Sequence, residues 1–267
     1  MSHLHKRFPP ALRAPHMIPN LPEKHDGEAL FSPEDALDAQ GEGVPDLPPA
    51  ILLGFQEHLT DHVEERAVEA VDIVRSQRCL VLSESVGYVP VHEVGIGAPV
   101  AATVAENAIA AGARAVVYLG GGAALQTDLD PRTAILPTEA IRDEGVSYHY
   151  LEHDDPVEAT SDLVSVLDES LTEANLDTAR GPTWTMSAFY RETVPEIRQY
   201  RDDGVLSLCM ESAAIWAVCR YHDVATASVH GIGDYLDPDG WVPESEDNLI
   251  ELLDPTVAAL TEYVVED

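Results

Sequence analysis

An α/β fold with a mainly parallel, covered sheet is what this sequence predicts, and three observations carry the prediction. From residue 50 onward, short apolar runs of strand length alternate with longer amphipathic runs of helix length, as in strand–helix units around a sheet buried on both faces. Two glycine clusters, Gly95-Ile96-Gly97 and Gly120-Gly121-Gly122, follow strand-like runs, where tight strand-to-helix turns favour residues without a Cβ. The 267 residues show no compositional break between comparable halves, which suits one large domain.

In chain order, residues 1–49 hold nine of the 19 prolines and little hydrophobic periodicity. They are expected to form an N-terminal arm, extended apart from a short helix after Ser32-Pro33, and residues 50–267 to form the domain. Strands are expected at 51–53, 79–82, 89–94, 115–119, 134–136, 183–186 and 224–229, each a short apolar run between turn residues. Helices are expected at 98–111, 156–174, 194–201, 211–221 and 249–265, each long enough to bury one stripe. His58 and His62 share a helix face at i, i+4 with no third ligand at a recognisable spacing, so a surface helix is expected there and no metal.

Composition narrows the function classes. Formal net charge is −33, and only Lys6 and Lys24 of the 15 basic residues are lysine. Such a field repels nucleic acid and anionic membranes, so neither is an expected partner. Acid excess with almost no lysine resembles a salt-in halophile, whose carboxylate surface stays hydrated at high ionic strength. No apolar stretch reaches the length of a bilayer span and no signal-peptide core opens the chain, so a cytoplasmic location is expected. Cys79, Cys209 and Cys219 lie in apolar surroundings without a CxxC pair, as reduced, buried thiols do.

The sequence has no Walker A loop and no G-x-S-x-G elbow, which removes the commonest phosphate-loop and hydrolase signatures. The glycine clusters end strands that flank one expected helix, the edge at which open α/β sheets bind ligands. Two carboxylates stand out near the C-terminus. Glu211 opens an apolar helix-like run on the face of Ile215 and Val218, and Asp234 closes a small-residue strand-like run 23 residues later. Taken singly, the first is explained by the helix dipole and the second by an ordinary turn. As a pair on a consecutive helix and strand, they are able to converge at one sheet edge.

These residues bring a family into view. Met210-Glu211-Ser212-Ala213, with Asp234 23 residues on, resembles the nucleoside phosphorylase and nucleosidase superfamily, which includes uridine phosphorylase, hexameric purine nucleoside phosphorylase and methylthioadenosine nucleosidase. The resemblance extends in family order over Gly95-Ile96-Gly97-Ala98-Pro99, the glycines at 120–122, Arg142-Asp143-Glu144-Gly145 with Ser147-Tyr148-His149-Tyr150, and Thr183-Trp184-Thr185-Met186 with Ala188-Phe189-Tyr190-Arg191-Glu192-Thr193. It implies a three-layer α/β/α domain with a central mixed sheet, assembled as a hexamer or trimer of dimers.

Breaking an N-glycosidic bond builds positive charge on the ribose and negative charge on the departing base, so both need stabilising groups. By resemblance, Glu211 accepts hydrogen bonds from the ribose hydroxyls, Met210 packs on the sugar, Phe189 stacks on the base and Asp234 protonates a purine nitrogen. Gly121, Gly122, Thr185, Arg142, Arg191 and His149 complete the substrate-binding candidates. The usual phosphate arginines and threonine of the family align with His58, Tyr118 and Gly121 here, which leaves Gly54, His58, Gly97 and Gly121 as candidate phosphate contacts. The resemblance implies a nucleoside phosphorylase that uses inorganic phosphate as co-substrate and needs no other cofactor, yielding free base and ribose 1-phosphate. A nucleosidase using water and a non-catalytic nucleoside-binding oligomer stay open as alternatives. In a family oligomer a neighbouring subunit completes the site, with His16, His25 or His149 as candidates for that role.

Overall fold

Every residue of β1 (Ala50–Gly54) is buried, as expected of a strand with parallel neighbours on both sides and helices above and below. The computed structural model describes residues 23–39, 43–74, 76–153, 157–245 and 247–266. Before β1 lies α1 (Pro33–Asp38), and after it come α2 (Glu57–Glu64), β2 (Glu69–Asp72), β3 (Arg78–Val81), β4 (Val86–Pro90) and α3 (Ala98–Ala110). The middle of the chain supplies β5 (Ala115–Ala124), β6 (Ala134–Asp143), β7 (Val157–Glu158), α4 (Ser161–Glu173) and β8 (Thr178–Met186). The last part supplies α5 (Val194–Asp202), β9 (Ser207–Cys209), α6 (Ser212–Tyr221), β10 (Ala225–Asp237), β11 (Gly240–Pro243) and α7 (Asn248–Glu266).

Strand alternation divides the core into two layers. Ile51, Leu53, Val116 and Tyr118 point to one face and pack with the alanine-rich stripes of α3 and α6. Ala50, Leu52, Ala115 and Val117 point to the other and pack with Leu163 and Leu167 of α4 and Leu252, Leu253 and Leu260 of α7. Successive side chains on a strand face opposite ways, so one apolar run feeds both layers. The result is the three-layer α/β/α arrangement that the resemblance implies.

The sheet is mixed, as the resemblance implies, and its longest pairings are parallel, as the strand pattern predicts. β1 pairs in parallel with β4 and β5, β5 with β10, β8 with β6 and β9. Antiparallel partners are added by β2 with β3, β3 with β4, β9 with β5, β11 with β10 and β6 with β10 and β7. Several of the strands that reverse direction are short or exposed; β9 has three residues and β2 is largely exposed, so neither leaves a periodic signal. The pairings β5–β10–β6–β8–β9–β5 close a ring, which brings β9 and β10 to opposite sides of β5.

Other boundaries shift for local reasons. The run expected as a strand over 89–94 leaves the sheet after Pro90 and tightens into a 3₁₀ turn, Val91–Glu93. β5 continues through Gly120–Gly122 to Ala124, so the second glycine cluster lies inside a strand rather than after one. In the arm, α1 begins at a capping box in which Ser32 and Asp35 satisfy each other's backbone N–H groups, a strong local start signal. Leu37 of α1 is buried, and Leu47 donates its N–H to the Ala111 carbonyl after α3.

Candidate active site

The link between β9 and α6 is only Met210 and Glu211. Glu211 occupies the N-cap position, yet its side chain does not cap its own helix. It turns to the first glycine cluster, where Oε1 accepts the Gly97 N–H at 2.9 Å, while Oε2 accepts the Met210 N–H at 3.0 Å. Gly97 sits at φ +87, in the left-handed region that glycine adopts without steric cost. The Met210 methyl lies 3.8 Å from where a Cβ on Gly97 would stand. Capping of α6 falls to β8, whose Thr185 Oγ1 accepts the Ala213 N–H at 3.0 Å. Thus Gly97, Thr185, Met210 and Glu211 meet in one cluster.

Glu211 is 5% exposed. Burial pushes its carboxyl up to about 7 and the neighbouring Cys209 thiol adds to the push, while the Gly97 and Met210 N–H groups and His230 pull it back. Two donors on two oxygens suit the ionised form, and desolvation opposes it. The group is therefore poised near neutrality.

Asp234 lies towards the end of β10. A register shift between Ile232 and Asp234 sets Asp234 opposite Ala123 of β5, and Ala123 pairs on its other side with Leu208 of β9. Glu211 follows Leu208 by three residues and, because β9 runs antiparallel to β5, lies back towards Gly120 from the row that holds Asp234. The inserted Gly233 is a bulge of the kind that re-aims a side chain. Oδ2 of Asp234 accepts the indole N–H of Trp241, on β11, at 2.6 Å. Burial raises the Asp234 carboxyl, and the indole donor opposes the rise. Glu211 is not among the causes of that shift. The carboxylate coupled to Asp234 is Glu192: burial first, and the charge of Asp234 second, push Glu192 up to about 7. Its Oε1 is buried without a hydrogen-bond partner among the described residues. Sequence reasoning missed Glu192 as a functional group although it lies in the Ala188–Thr193 motif, because nothing local to the motif marks it as buried.

Phe189 stands on a 3₁₀ turn between β8 and α5, 57% exposed and edge-on to Tyr190 at 5.0 Å. Arg191 closes that turn and is exposed. Arg142, near the end of β6, holds the loop that follows together: it donates to Ser147 Oγ, Leu151 O and Glu152 O, and stacks over the Tyr148 ring at 4.1 Å. His149 is exposed in the same loop, its imidazole lowered by burial and by Lys24. His25 donates from Nε2 to the Tyr148 carbonyl at 3.1 Å, and His16 lies outside the described residues.

At the candidate phosphate contacts, Tyr88 fills the space beside Gly54, and Gly97 already donates to Glu211. Tyr118 is buried edge-on to Phe55 and His230 and donates its hydroxyl to the Gly121 carbonyl at 2.8 Å. His58 is partly exposed on α2, with Gly122 buried on β5. A cavity of about 310 Å³ opens elsewhere, lined by Glu139, Ile141, Val157, Pro182 and Asp203, and shares no residue with the Glu211 cluster.

The family model described as the phosphorylase superfamily matches residues 49–266. The chain belongs to the phosphorylase superfamily. Within it, the chain is 26% identical over 180 residues to the guanosine phosphorylase of Halorubrum lacusprofundi, spanning 62% of this chain and 73% of that protein. It is 27% identical over 150 residues to the DeoD-type purine nucleoside phosphorylase of Bacillus cytotoxicus, spanning 55% of this chain and 64% of that protein. Among solved structures, the AMP nucleosidase of Bacteroides thetaiotaomicron superposes with a TM-score of 0.71 at 22% identity, covering 88% of this chain and 96% of that one. The uridine phosphorylase of Vibrio fischeri, in a complex with 6-hydroxy-1-naphthoic acid, superposes at 0.65 and 19% identity, covering 83% and 93%. At these identities the structures establish the phosphorylase-superfamily fold. No helix among the described residues is long and apolar enough to cross a membrane.

Proposed function

We propose that this member of the phosphorylase superfamily cleaves the N-glycosidic bond of a purine ribonucleoside, with phosphate as acceptor, to free base and ribose 1-phosphate. The observation that carries the reading is the buried Glu211 carboxylate, held by two backbone donors, together with a second pair of raised carboxyls, Asp234 and Glu192. As the C1′–N bond breaks, ionised Glu211 accepts the ribose 2′ and 3′ hydroxyls and offsets the positive charge growing on the sugar. Those contacts strengthen as the sugar becomes cationic, so they favour the transition state over the bound nucleoside. The base leaves with the bond's electron pair and takes a proton at a ring nitrogen from the Asp234–Glu192 pair. Phe189 offers an exposed flat ring three residues before Glu192, suited to stack on the base. The names of the guanosine and purine nucleoside phosphorylase relatives support the purine choice.

Hydrolysis is the second reading, and a specific observation favours it: where the family's phosphate clamp aligns, Tyr118 is a neutral, buried phenol bonded to Gly121, and the Gly97 N–H is engaged by Glu211. One experiment separates the readings. The protein is incubated with guanosine, inosine, adenosine, uridine and AMP in molar KCl, with and without phosphate, and products are identified. Ribose 1-phosphate formed only with phosphate supports phosphorolysis. Free ribose at an unchanged rate without phosphate replaces it with a nucleosidase, and no product from any substrate removes the enzymatic reading.

A further inference from the structure

His230 is fully buried on β10, one strand away from the Glu211 link, and the proposed reaction makes no use of it. Both ring nitrogens are engaged: Nδ1 with Ser207 Oγ at 3.0 Å and Nε2 with Ser212 Oγ at 3.2 Å. Each serine belongs to a longer chain. Ser207 Oγ donates to Thr183 Oγ1 at 2.9 Å, and Thr183 Oγ1 donates to the Ser207 carbonyl at 3.0 Å. On the other side, Ser212 Oγ lies 3.0 Å from Ser228 Oγ, which accepts the indole N–H of Trp216 at 3.1 Å. Thr183, Ser207, Ser212, Trp216 and Ser228 are all fully buried, so none of them faces bulk solvent.

Counting protons orders the chain. An indole nitrogen only donates and a carbonyl only accepts, and each hydroxyl has one hydrogen. The Thr183 hydrogen goes to the carbonyl, so the Ser207 hydrogen goes to Thr183, and Ser207 Oγ faces His230 as an acceptor. Nδ1 therefore carries the ring proton. Nε2 is then an acceptor, filled by the Ser212 hydroxyl, which accepts from Ser228 in turn. Every member donates and accepts in one direction, from Trp216 to the Ser207 carbonyl. A second ring proton would turn the Ser212 hydrogen back towards Ser228 and leave the Ser228 hydrogen without a place in the chain, a costly defect in a buried network. Burial likewise holds the imidazole low, at about 4, against the pull of the Glu211 charge.

Ser212 is the first residue of α6 and follows Glu211 directly. The ring thus ties β9, β10 and the first turn of α6 into one unit behind the carboxylate. The space for it is made on β5, where a Cβ on Gly122 would stand 3.3 Å from Nδ1; any side chain there would press on the ring.

We propose that His230, as the neutral Nδ1–H tautomer at the centre of this chain, is a positioning residue that fixes where the Glu211 carboxylate points. The functional half of the proposal rests on the reading of Glu211 as the ribose-binding group; the structural half does not. Nitrogen-15 NMR of the histidine rings in the full chain should show His230 protonated on Nδ1 alone at neutral pH. A proton on Nε2, or on both nitrogens, overturns the assignment. The Gly97 and Met210 amides report on Glu211 directly, because they donate to it. In His230→Phe, which keeps a ring and removes both nitrogens, their hydrogen exchange should quicken by about tenfold or more. His230→Gln retains one donor and one acceptor and should restore most of the protection. Unchanged exchange in the folded Phe variant overturns the positioning role. Should that variant fail to fold, Ser207→Ala, which removes the acceptor of Nδ1–H, is read by the same amides and the same outcomes. On a cleaved nucleoside, kcat of the Phe variant should fall by about 10² with KM nearly unchanged, as a misplaced catalytic group gives, and the Gln variant should recover it. If the wild-type protein cleaves no nucleoside, the functional reading fails while ring and amide measurements still decide on His230.

Discussion

Glu211 is pulled in two directions, and the catalytic role proposed for it depends on which wins at a given pH. Only the ionised carboxylate offsets a cationic sugar, and with the group raised to about 7 the ionised fraction grows as pH rises through neutrality. The kcat/KM profile should therefore climb on its acid limb with an apparent pKa near 7, far above an ordinary glutamate. An acid limb centred near 4.5 would show that substrate meets Glu211 already ionised. Glu211→Ala should leave a folded protein with turnover reduced by roughly 10²–10³, the loss typical of one transition-state charge contact. Asp234→Asn tests the other side of the site. The amide still donates a hydrogen bond but delivers no proton, so kcat on a purine nucleoside should fall by about 10²–10⁴, while a nitrophenyl riboside, whose base leaves unprotonated, should react at nearly the wild-type rate. Equal slowing of both substrates would point to lost geometry. Glu192, raised to about 7 beside Asp234, must keep its proton to act as reservoir. On that role kcat should fall above neutral pH, and Glu192→Gln, which has no proton to supply, should lower kcat and abolish that pH-dependent fall while leaving the acid limb in place.

The first turn of α6 depends on a strand for its cap. A helix start leaves N–H groups without partners, and Glu211 cannot fill the role because its side chain is bound to Gly97 and Met210. Thr185 of β8 takes it, buried and bonded to the Ala213 N–H. Thr185→Val keeps the shape and removes the acceptor, so it should destabilise the fold by about 1–3 kcal/mol, the cost of a buried unsatisfied donor. In urea titrations this would be a lower midpoint at unchanged slope. A variant as stable as wild type would show that another group caps α6. Much of this element was legible beforehand: the apolar run after Met210 marked a helix, and the helix begins one residue after its expected start. The cap was not legible, because 28 residues separate Thr185 from Ala213 and only the β8–β9 pairing, Thr185 opposite Cys209, joins them.

Across the whole molecule, 48 acidic residues oppose 15 basic ones. Several arginines are bound into local ion pairs, such as Arg78 with Glu64 and Glu93 or Arg201 with Asp202 and Asp237, which leaves most of the negative field uncompensated. Added salt screens that field, the Debye length shrinking from about 10 Å at 0.1 M to about 3 Å at 1 M. The Tm should rise steadily over that range of KCl, and a flat Tm would count against a surface adapted to high salt.

The sequence by itself determined the layered α/β class, the family resemblance, the presence of Glu211 and Asp234 in one late segment and the sign of the surface field. These are local or additive properties: periodicity reports which face is buried, and charges sum without reference to the fold. Only the tertiary structure decided that Gly97 holds Glu211 across 114 residues, that Glu192 is coupled to Asp234 and that His230 sits inside a directed chain of hydroxyls. Each of these depends on which strands flank β5, an order set partly by β9, which has three residues, too few to leave a pattern. Burial then sets the proton affinities, since the cost of ionising a carboxyl follows from the water it has lost, and that is a property of the surroundings rather than of the residue.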